Sequence, residues 1–379
     1  GETVFDLTRR PTRLVVVGAG STGLELAQAH RRLGAEVAVL DAGPALGADD
    51  PELAAVVLAR LRAEGVDVRE HTAVARVERR GKTGVRVFAV GADGAETAID
   101  GTHLLVAAGR TPDVAGLDLD KAGVAVTPQG VAVTDGLRTT NRRIHAIGDV
   151  IDGPQSAHAA DYHAGLVVRA LFSRDPAREN RSIIPRVAFT DPELAHVGMT
   201  EAEARAAGGP IRILRWPFSQ NDRARAEHRT EGFIKLVADR KGRILGASIA
   251  GADAGELIAV WTLAVAKGLT LRDIADNTVS PAVQRVDGVA SVGVSGGRTR
   301  QIQVLLDPNK LLQYGISFSA VTTALGNDNQ STDAGLIYKG DQLVPLRIDS
   351  EFKSSAEIEK VQVSIGRGQT VDLGELGKI

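Results

Sequence analysis

Residues 14–41 read LVVVGAGSTGLELAQAHRRLGAEVAVLD, an apolar run meeting three glycines at a spacing that leaves few folds open. The pattern predicts a strand over Leu14–Val17, a helix over Gly23–Leu33 and a second strand over Val37–Leu40 that ends on Asp41. Gly18 permits a tight turn, Gly20 lets backbone N–H groups approach a diphosphate, and Gly23 lets the helix pack close to the strand. Ala19 and Ser21 complete the loop, and the helix N-terminus adds unpaired N–H donors and a positive dipole end. Asp41 falls where a carboxylate can accept from both ribose hydroxyls of an adenosine. Ala42, Gly43 and Pro44 follow with no Arg, so a 2′-phosphate would be repelled and the reading favours NADH over NADPH.

A chain of 379 residues is long enough for two to four domains. From Leu14 to about Arg110 strands and helices alternate, with a helix predicted over Pro51–Glu64 and a strand over Val66–Arg69. A meander follows, Val74–Arg79 and Gly84–Val90 with a turn at Gly91–Gly94, and strand Leu104–Ala107 leads into Gly109 and Arg110. Short buried strands are predicted over Val131–Val133 and Ile144–Ile147, the second running into Gly148 and Asp149. A helix over Ala157–Leu171 comes next. From Ile183 the rhythm turns antiparallel: strands at Ala188–Thr190, Val197, Ile211–Trp216, Phe233–Asp239 and Ile244–Ala250, with helices Thr200–Ala207 and Ala254–Lys267 packed on them. The last helix is expected to bury Ile258, Trp261, Leu263 and Val265. Beyond Pro281, strands Val289–Val294, Thr299–Leu306, Ala334–Lys339 and Gln342–Ile348 and helices Asn309–Tyr314 and Ser319–Leu325 predict a β-rich unit of split-βαβ character.

Composition narrows the partners. The 45 basic and 47 acidic side chains nearly cancel, so no nucleic-acid partner is expected, and the run Arg76–Lys82 reads as a solvated hairpin. No stretch approaches the ~18–20 apolar residues of a membrane helix. With no Cys, the chain itself can supply no disulfide, thiolate metal site or thiol nucleophile, and its eight scattered His suggest no metal site. The first residue is Gly, and the chain is expected to begin partway into a longer protein.

Several segments together resemble the pyridine nucleotide-disulfide oxidoreductases over about residues 1–281. GAGSTGLELA at 18–27 is similar to the family's NAD(H) site, and LLVAAGRTPD at 104–113 to the segment returning from the NAD domain to the FAD domain. TTNRRIHAIGDV at 139–150 is similar to a flavin motif, and the segments at 184–208 and 231–251 to the family's dimerisation domain. The resemblance implies FAD and NAD as cofactors, Asp149 against the flavin ribityl chain, and a homodimer acting on a disulfide or other small acceptor in the cytoplasm. It places Glu25 near the nicotinamide–flavin contact, the one catalytic candidate, although a first-turn helix-dipole partner is an equally open reading. His158 and His163 lie either near the flavin ring or as ordinary hydrogen-bonded helix residues. The family's own N-terminal flavin fingerprint, its cysteine pair and its closing His-Pro-Thr motif have no counterpart here, and Ser21 stands where many members carry an aromatic gate.

Residues 282–379 resemble a different family, the porter subdomain of resistance-nodulation-division efflux pumps, through DGVASV, GGR, IQV, DPNKL and YGIS. Asp307-Pro308 there reads as a helix start, an N-cap followed by Pro at the first helical position. The expected organisation is therefore a Rossmann-like α/β domain with a leading linker over 1–110, part of a FAD-binding domain over 111–180, an α+β dimerisation domain over 181–281 and the porter-like unit over 282–379, joined near residues 278–284. The parent of the last unit would be periplasmic. The expected function is an incomplete flavoprotein oxidoreductase. Alternatives are an NADH-binding module without turnover, or an efflux component.

Overall fold

The computed structural model describes residues 2–81, 84–173, 178–286, 288–294, 302–329, 331–339, 342–349, 352, 354–366 and 369–379. The chain divides into two compact units, Gly1–Ser295 and Gly296–Ile379.

Strand β1 (Arg13–Val17) leads into helix α1 (Ser21–Arg32), β2 (Glu36–Leu40), α2 (Pro51–Ala63) and β3 (Val66–Arg69). A meander of β4 (Ala73–Arg80), β5 (Gly84–Val90) and β6 (Glu96–Gly101) precedes β7 (His103–Val106). The sheet order is β3-β2-β1-β7, all parallel. A parallel strand covered on both faces calls for continuous apolar residues, which is why β1 reads RLVVV without alternation. Leu14 and Val16 pack into the core shared with Leu24, Leu53 and Val57, while Val15 packs with Val87, Ala89 and Ile99 of the meander. Helix α1 begins two residues earlier than expected, and a 3₁₀ turn over Glu2–Asp6 occupies part of the presumed linker.

The next stretch is sparse. Strands β8 (Val126–Thr127) and β9 (Gly130–Val131) form a two-stranded hairpin, followed by a 3₁₀ turn at Gly148–Val150 and helix α3 (Ala157–Phe172). Residues 144–147, expected as a buried strand, make only one bridge, Arg138 to His145, and Ile147 is exposed. The small core here gathers Val124, Val131, Leu137, Ile151 and Leu166.

An antiparallel sheet follows from β10 (Arg186–Ala188), β11 (Glu193–Gly198), helix α4 (Glu201–Ala206), β12 (Ile211–Pro217), helix α5 (Asp222–Ala226), β13 (Phe233–Asp239) and β14 (Ile244–Gly251). Its order is β10-β11-β14-β13-β12. Helix α6 (Ala254–Lys267) lies on this sheet with Ile258 buried and Trp261 and Val265 packed against the core. Leu263 is exposed, contrary to expectation, because positions 258, 261 and 265 share a helical face that 263 does not. Short helices α7 (Leu271–Ile274) and α8 (Ser280–Gln284) flank a π-helical turn at Ala275–Val279.

Two charged clusters tie the parallel domain to the antiparallel sheet. Lys235, 2% exposed on β13, donates to Asp50 at 2.7 Å and Glu52 at 2.9 Å, and lies 2.8 Å from Glu201. Burial pulls its ammonium pKa down, but the three carboxylates outweigh burial and leave it raised. Asp50 also caps α2 by accepting from the Glu52 N–H, with Pro51 at the first helical position. Arg215 grips Glu52 through two bonds of 2.8 and 2.7 Å and holds its carboxyl down, with Lys235, at about 2. In the second cluster, Glu64 accepts from Arg32 at 2.7 Å and Arg60 at 2.8 Å, and Arg32 also reaches Asp191 at 2.8 Å.

Arg32 above all holds the Glu64 carboxyl at about 2, against an ordinary 4.5. A depressed folded-state value means stability that is full above the ordinary value and is lost as pH falls from 4.5 towards 2. E64Q should flatten the acid limb of a denaturation-midpoint profile over that window, by at most about 1.4 kcal/mol per pH unit. An unchanged limb would contradict this.

In the second unit, β15 (Leu305–Leu306) precedes α9 (Pro308–Tyr314), α10 (Phe318–Asp328), β16 (Ser331–Lys339), β17 (Gln342–Asp349), α11 (Ser355–Glu359), β18 (Gln362–Gly366), β19 (Gln369–Asp372), α12 (Leu373–Leu376) and β20 (Gly377–Lys378). Among the described residues the strands pair as three two-stranded ladders, β15 with β20, β16 with β17, and β18 with β19. Residues 289–294, expected as a strand, are irregular. Of the expected strand Thr299–Leu306, residues 299–301 lie outside the described residues, as does the GGR motif at 296–298, and of the described part only Leu305 and Leu306 are strand. Asp307 caps α9 as expected, accepting from the Asn309 N–H at 2.9 Å with Pro308 at the first position. Val321, Val363, Leu373 and Leu376 centre a separate core.

Candidate functional site

A cleft of about 1720 Å³ in the first unit opens at the C-terminal edge of the parallel sheet. This is where an open α/β sheet receives ligands. Of the sequence-predicted residues, Gly18, Gly20, Ser21, Glu25, Asp41, Gly109, Arg110 and Asp149 line it together. Ala19, Gly23 and Gly148 stand behind that surface.

The glycines divide the labour. Gly18 adopts φ +105°, and a Cβ there would sit 2.4 Å from the Ala107 carbonyl oxygen. A Cβ on Gly23 would lie 1.9 Å from the Gly18 carbonyl oxygen, so α1 crosses β1 as closely as backbones allow. Gly20 is different. It has ordinary extended backbone, and a Cβ there would meet nothing within 4 Å, so its bareness leaves room on the cleft side and serves no packing need. As N-cap it offers no side-chain acceptor, which leaves the first N–H groups of α1 without a side-chain partner.

Asp41 closes the opposite wall. Its Oδ2 accepts from the Ala19 N–H at 2.7 Å and its Oδ1 from the Gly43 N–H at 2.8 Å. Each oxygen keeps a further lone pair for a hydroxyl donor. The third wall is Arg110, whose Nη1 donates to Asp149 Oδ2 at 2.8 Å. Nothing in the sequence suggested this pair.

Glu25 is the fifth residue of α1, and the first turn contains no acidic residue, so the dipole-partner reading is not supported. Its carboxylate accepts the Phe189 N–H at 2.9 Å. Burial raises its pKa, and the Phe189 bond only partly offsets this. Phe189 stacks on His158 with ring centroids 6.3 Å apart. His163 is fully buried on α3 and hydrogen-bonded at both nitrogens. The sequence reading passed over Phe189 and Lys235. The FTDP turn that follows β10 was the available signal for Phe189, while Lys235 carried none.

Residues 2–164 match the pyridine nucleotide-disulphide oxidoreductase family and residues 184–284 its dimerisation domain, together more than half of the chain. Over residues 2–284 the chain belongs to the pyridine nucleotide-disulphide oxidoreductases. Its similar proteins include a dihydrolipoyl dehydrogenase of Bacillus subtilis (36% identical, covering 70% of this chain and 57% of the relative). A mercuric reductase of Bacillus cereus is 34% identical over 76% of this chain and 46% of its own length. Among solved structures, the HOCl-induced flavoprotein disulfide reductase RclA of Escherichia coli superposes with a TM-score of 0.66 at 30% identity, over 72% of this chain and 62% of that one. LpdA of Mycobacterium tuberculosis gives 0.66 at 26% identity, over 76% and 61%. The chain spans about half the length of the curated relatives it matches.

Residues 253–379 match the AcrB/AcrD/AcrF family. That match starts upstream of the expected join and overlaps the oxidoreductase match across 253–284. Among the described residues no helix is long and apolar enough to cross a membrane.

Proposed function

We propose that this oxidoreductase chain is a nicotinamide-dinucleotide reader, NADH before NADPH, taken from a cytoplasmic, homodimeric FAD-dependent reductase. The observation that carries this is the Asp41 carboxylate held by two backbone N–H groups across from the bare Gly20 turn. The turn fits a diphosphate and the carboxylate fits two ribose hydroxyls, while a 2′-phosphate would meet like charge. Towards a flavin the chain presents one edge: Asp149 can accept a hydrogen bond from a ribityl hydroxyl, and Arg110 neutralises that carboxylate. A bound flavin would supply two-electron acceptance from the nicotinamide, and the protein would align the two rings. Glu25, with its raised pKa and its tie to Phe189, would line the contact between them.

D41A should weaken NADH binding about 10- to 100-fold in a fluorescence titration and erase the preference over NADPH, since hydrogen bonds to a charged group are lost. Equal affinities of D41A and the parent for NADH would defeat the reading.

A second reading, binding without turnover, is favoured by one fact. The chain has no cysteine to pass electrons to a disulfide. Purified protein that holds flavin absorbance and drives NADH-dependent dye reduction supports the reductase reading; micromolar NADH binding with no flavin retained supports the second. The matches of two different families to the two ends of the chain support a join of two unrelated gene segments, here placed at 278–284, inside the 253–284 stretch that both matches claim. One long sequencing read of genomic DNA across residues 253–295 tests it, and an uninterrupted natural frame in many isolates would count against it.

A further inference from the structure

We infer that His163 is a positioning residue that fixes the Gly148–Asp149 turn and thereby aims the Asp149 carboxylate into the cleft; its importance for flavin rests on the role proposed above for Asp149. The Gly148 N–H donates to His163 Nδ1 at 3.1 Å. A backbone amide can only donate, so Nδ1 is the bare acceptor and the ring proton sits on Nε2. That Nε2–H donates to Glu179 Oε1 at 2.9 Å. Glu179 is anchored in turn by the Arg181 Nε–H at 3.1 Å, and its own N–H donates to the Asp135 carbonyl at 2.8 Å. A carboxylate fixed on one segment thus selects the tautomer that another segment needs.

The packing agrees. Gly148 is buried at φ +67°, and a Cβ there would stand 3.1 Å from the Ala160 Cβ, one turn of α3 before His163. The turn therefore rests directly on the helix, and the imidazole is the acceptor that its buried N–H finds there. One residue further, Asp149 faces the cleft and meets Arg110. Loss of the acceptor strands a buried donor, which the turn can relieve only by moving Asp149.

Two near-isosteres separate the bonds. Asn places its amide oxygen near the Nδ1 position and keeps the Gly148 bond; Gln places its amide nitrogen near Nε2 and keeps the Glu179 bond. In the full chain, H163Q should exchange the Gly148 amide hydrogen about tenfold faster than the parent, and H163N at close to the parental rate. FAD affinity should fall about tenfold in H163Q and stay near parental in H163N. The ¹⁵N spectrum of the parental ring should show the proton on Nε2, and a proton on Nδ1 overturns the inference without any variant. Unchanged exchange in H163Q, or equal acceleration in both variants, also overturns it. Accelerated exchange in H163Q alone, with no FAD bound by any form, upholds the positioning role and rejects the flavin reading.

Discussion

K235M should destabilise the first unit by about 3–5 kcal/mol, the usual consequence of removing one member of a buried ion pair. Lys235 is 2% exposed, and Asp50, its 2.7 Å partner, is 3% exposed. With the ammonium gone, the Asp50 carboxylate stays buried with its cap bond to the Glu52 N–H and only the longer-range field of Arg215 to offset its charge. D50N in the same background should recover part of the loss, because the stranded charge is then removed as well. Both tryptophans, Trp216 on β12 and Trp261 on α6, sit in the sheet region that Lys235 joins to α2, so their fluorescence during chemical denaturation reads the effect directly. A K235M midpoint within error of the parent would refute the argument.

The second large effect separates folding from binding within one motif. G23A drives a Cβ to 1.9 Å from the Gly18 carbonyl oxygen, a backbone atom that cannot step aside. The turn between β1 and α1 must shift, and NADH affinity should drop about 100-fold together with a stability loss of about 1–3 kcal/mol. G20A should lose affinity with the denaturation midpoint unchanged, since its Cβ meets no protein atom within 4 Å and its backbone angles suit any residue. If G20A binds NADH like the parent, no diphosphate lies over that turn.

What the sequence made legible follows what is local. The β1–α1–β2 unit, α2, β3 and the strands Phe233–Asp239 and Ile244–Gly251 were readable within a residue or two, because period and glycine chemistry act over neighbours. Strand β6 was not foreseen, as ETAIDG carries one buried apolar side chain and no alternation. Ile144–Ile147 is apolar enough for a strand, yet apolarity does not provide a pairing partner. Site residues split the same way. Gly18, Gly20, Gly23 and Asp41 announce themselves by spacing, and the cleft gathers three of them with Glu25, Arg110 and Asp149. The bonds of Glu25 to Phe189, Arg110 to Asp149 and Lys235 to Asp50 link positions far apart in the chain, and no local pattern encodes a distant partner.

Helix α1 carries more than one of these ties. Its first residues border the Gly20 turn, Glu25 holds the Phe189 N–H, Gln28 exchanges two bonds with the Asp191 backbone, and Arg32 reaches the Asp191 carboxylate. One stiff rod is thus splinted along its length to the margin of the antiparallel sheet. A hinge between the two layers would have to break all of these bonds at once, so the Gly20 turn is held fixed against the antiparallel sheet. The strip after β7 that carries Gly109 and Arg110, by contrast, belongs to no helix or strand.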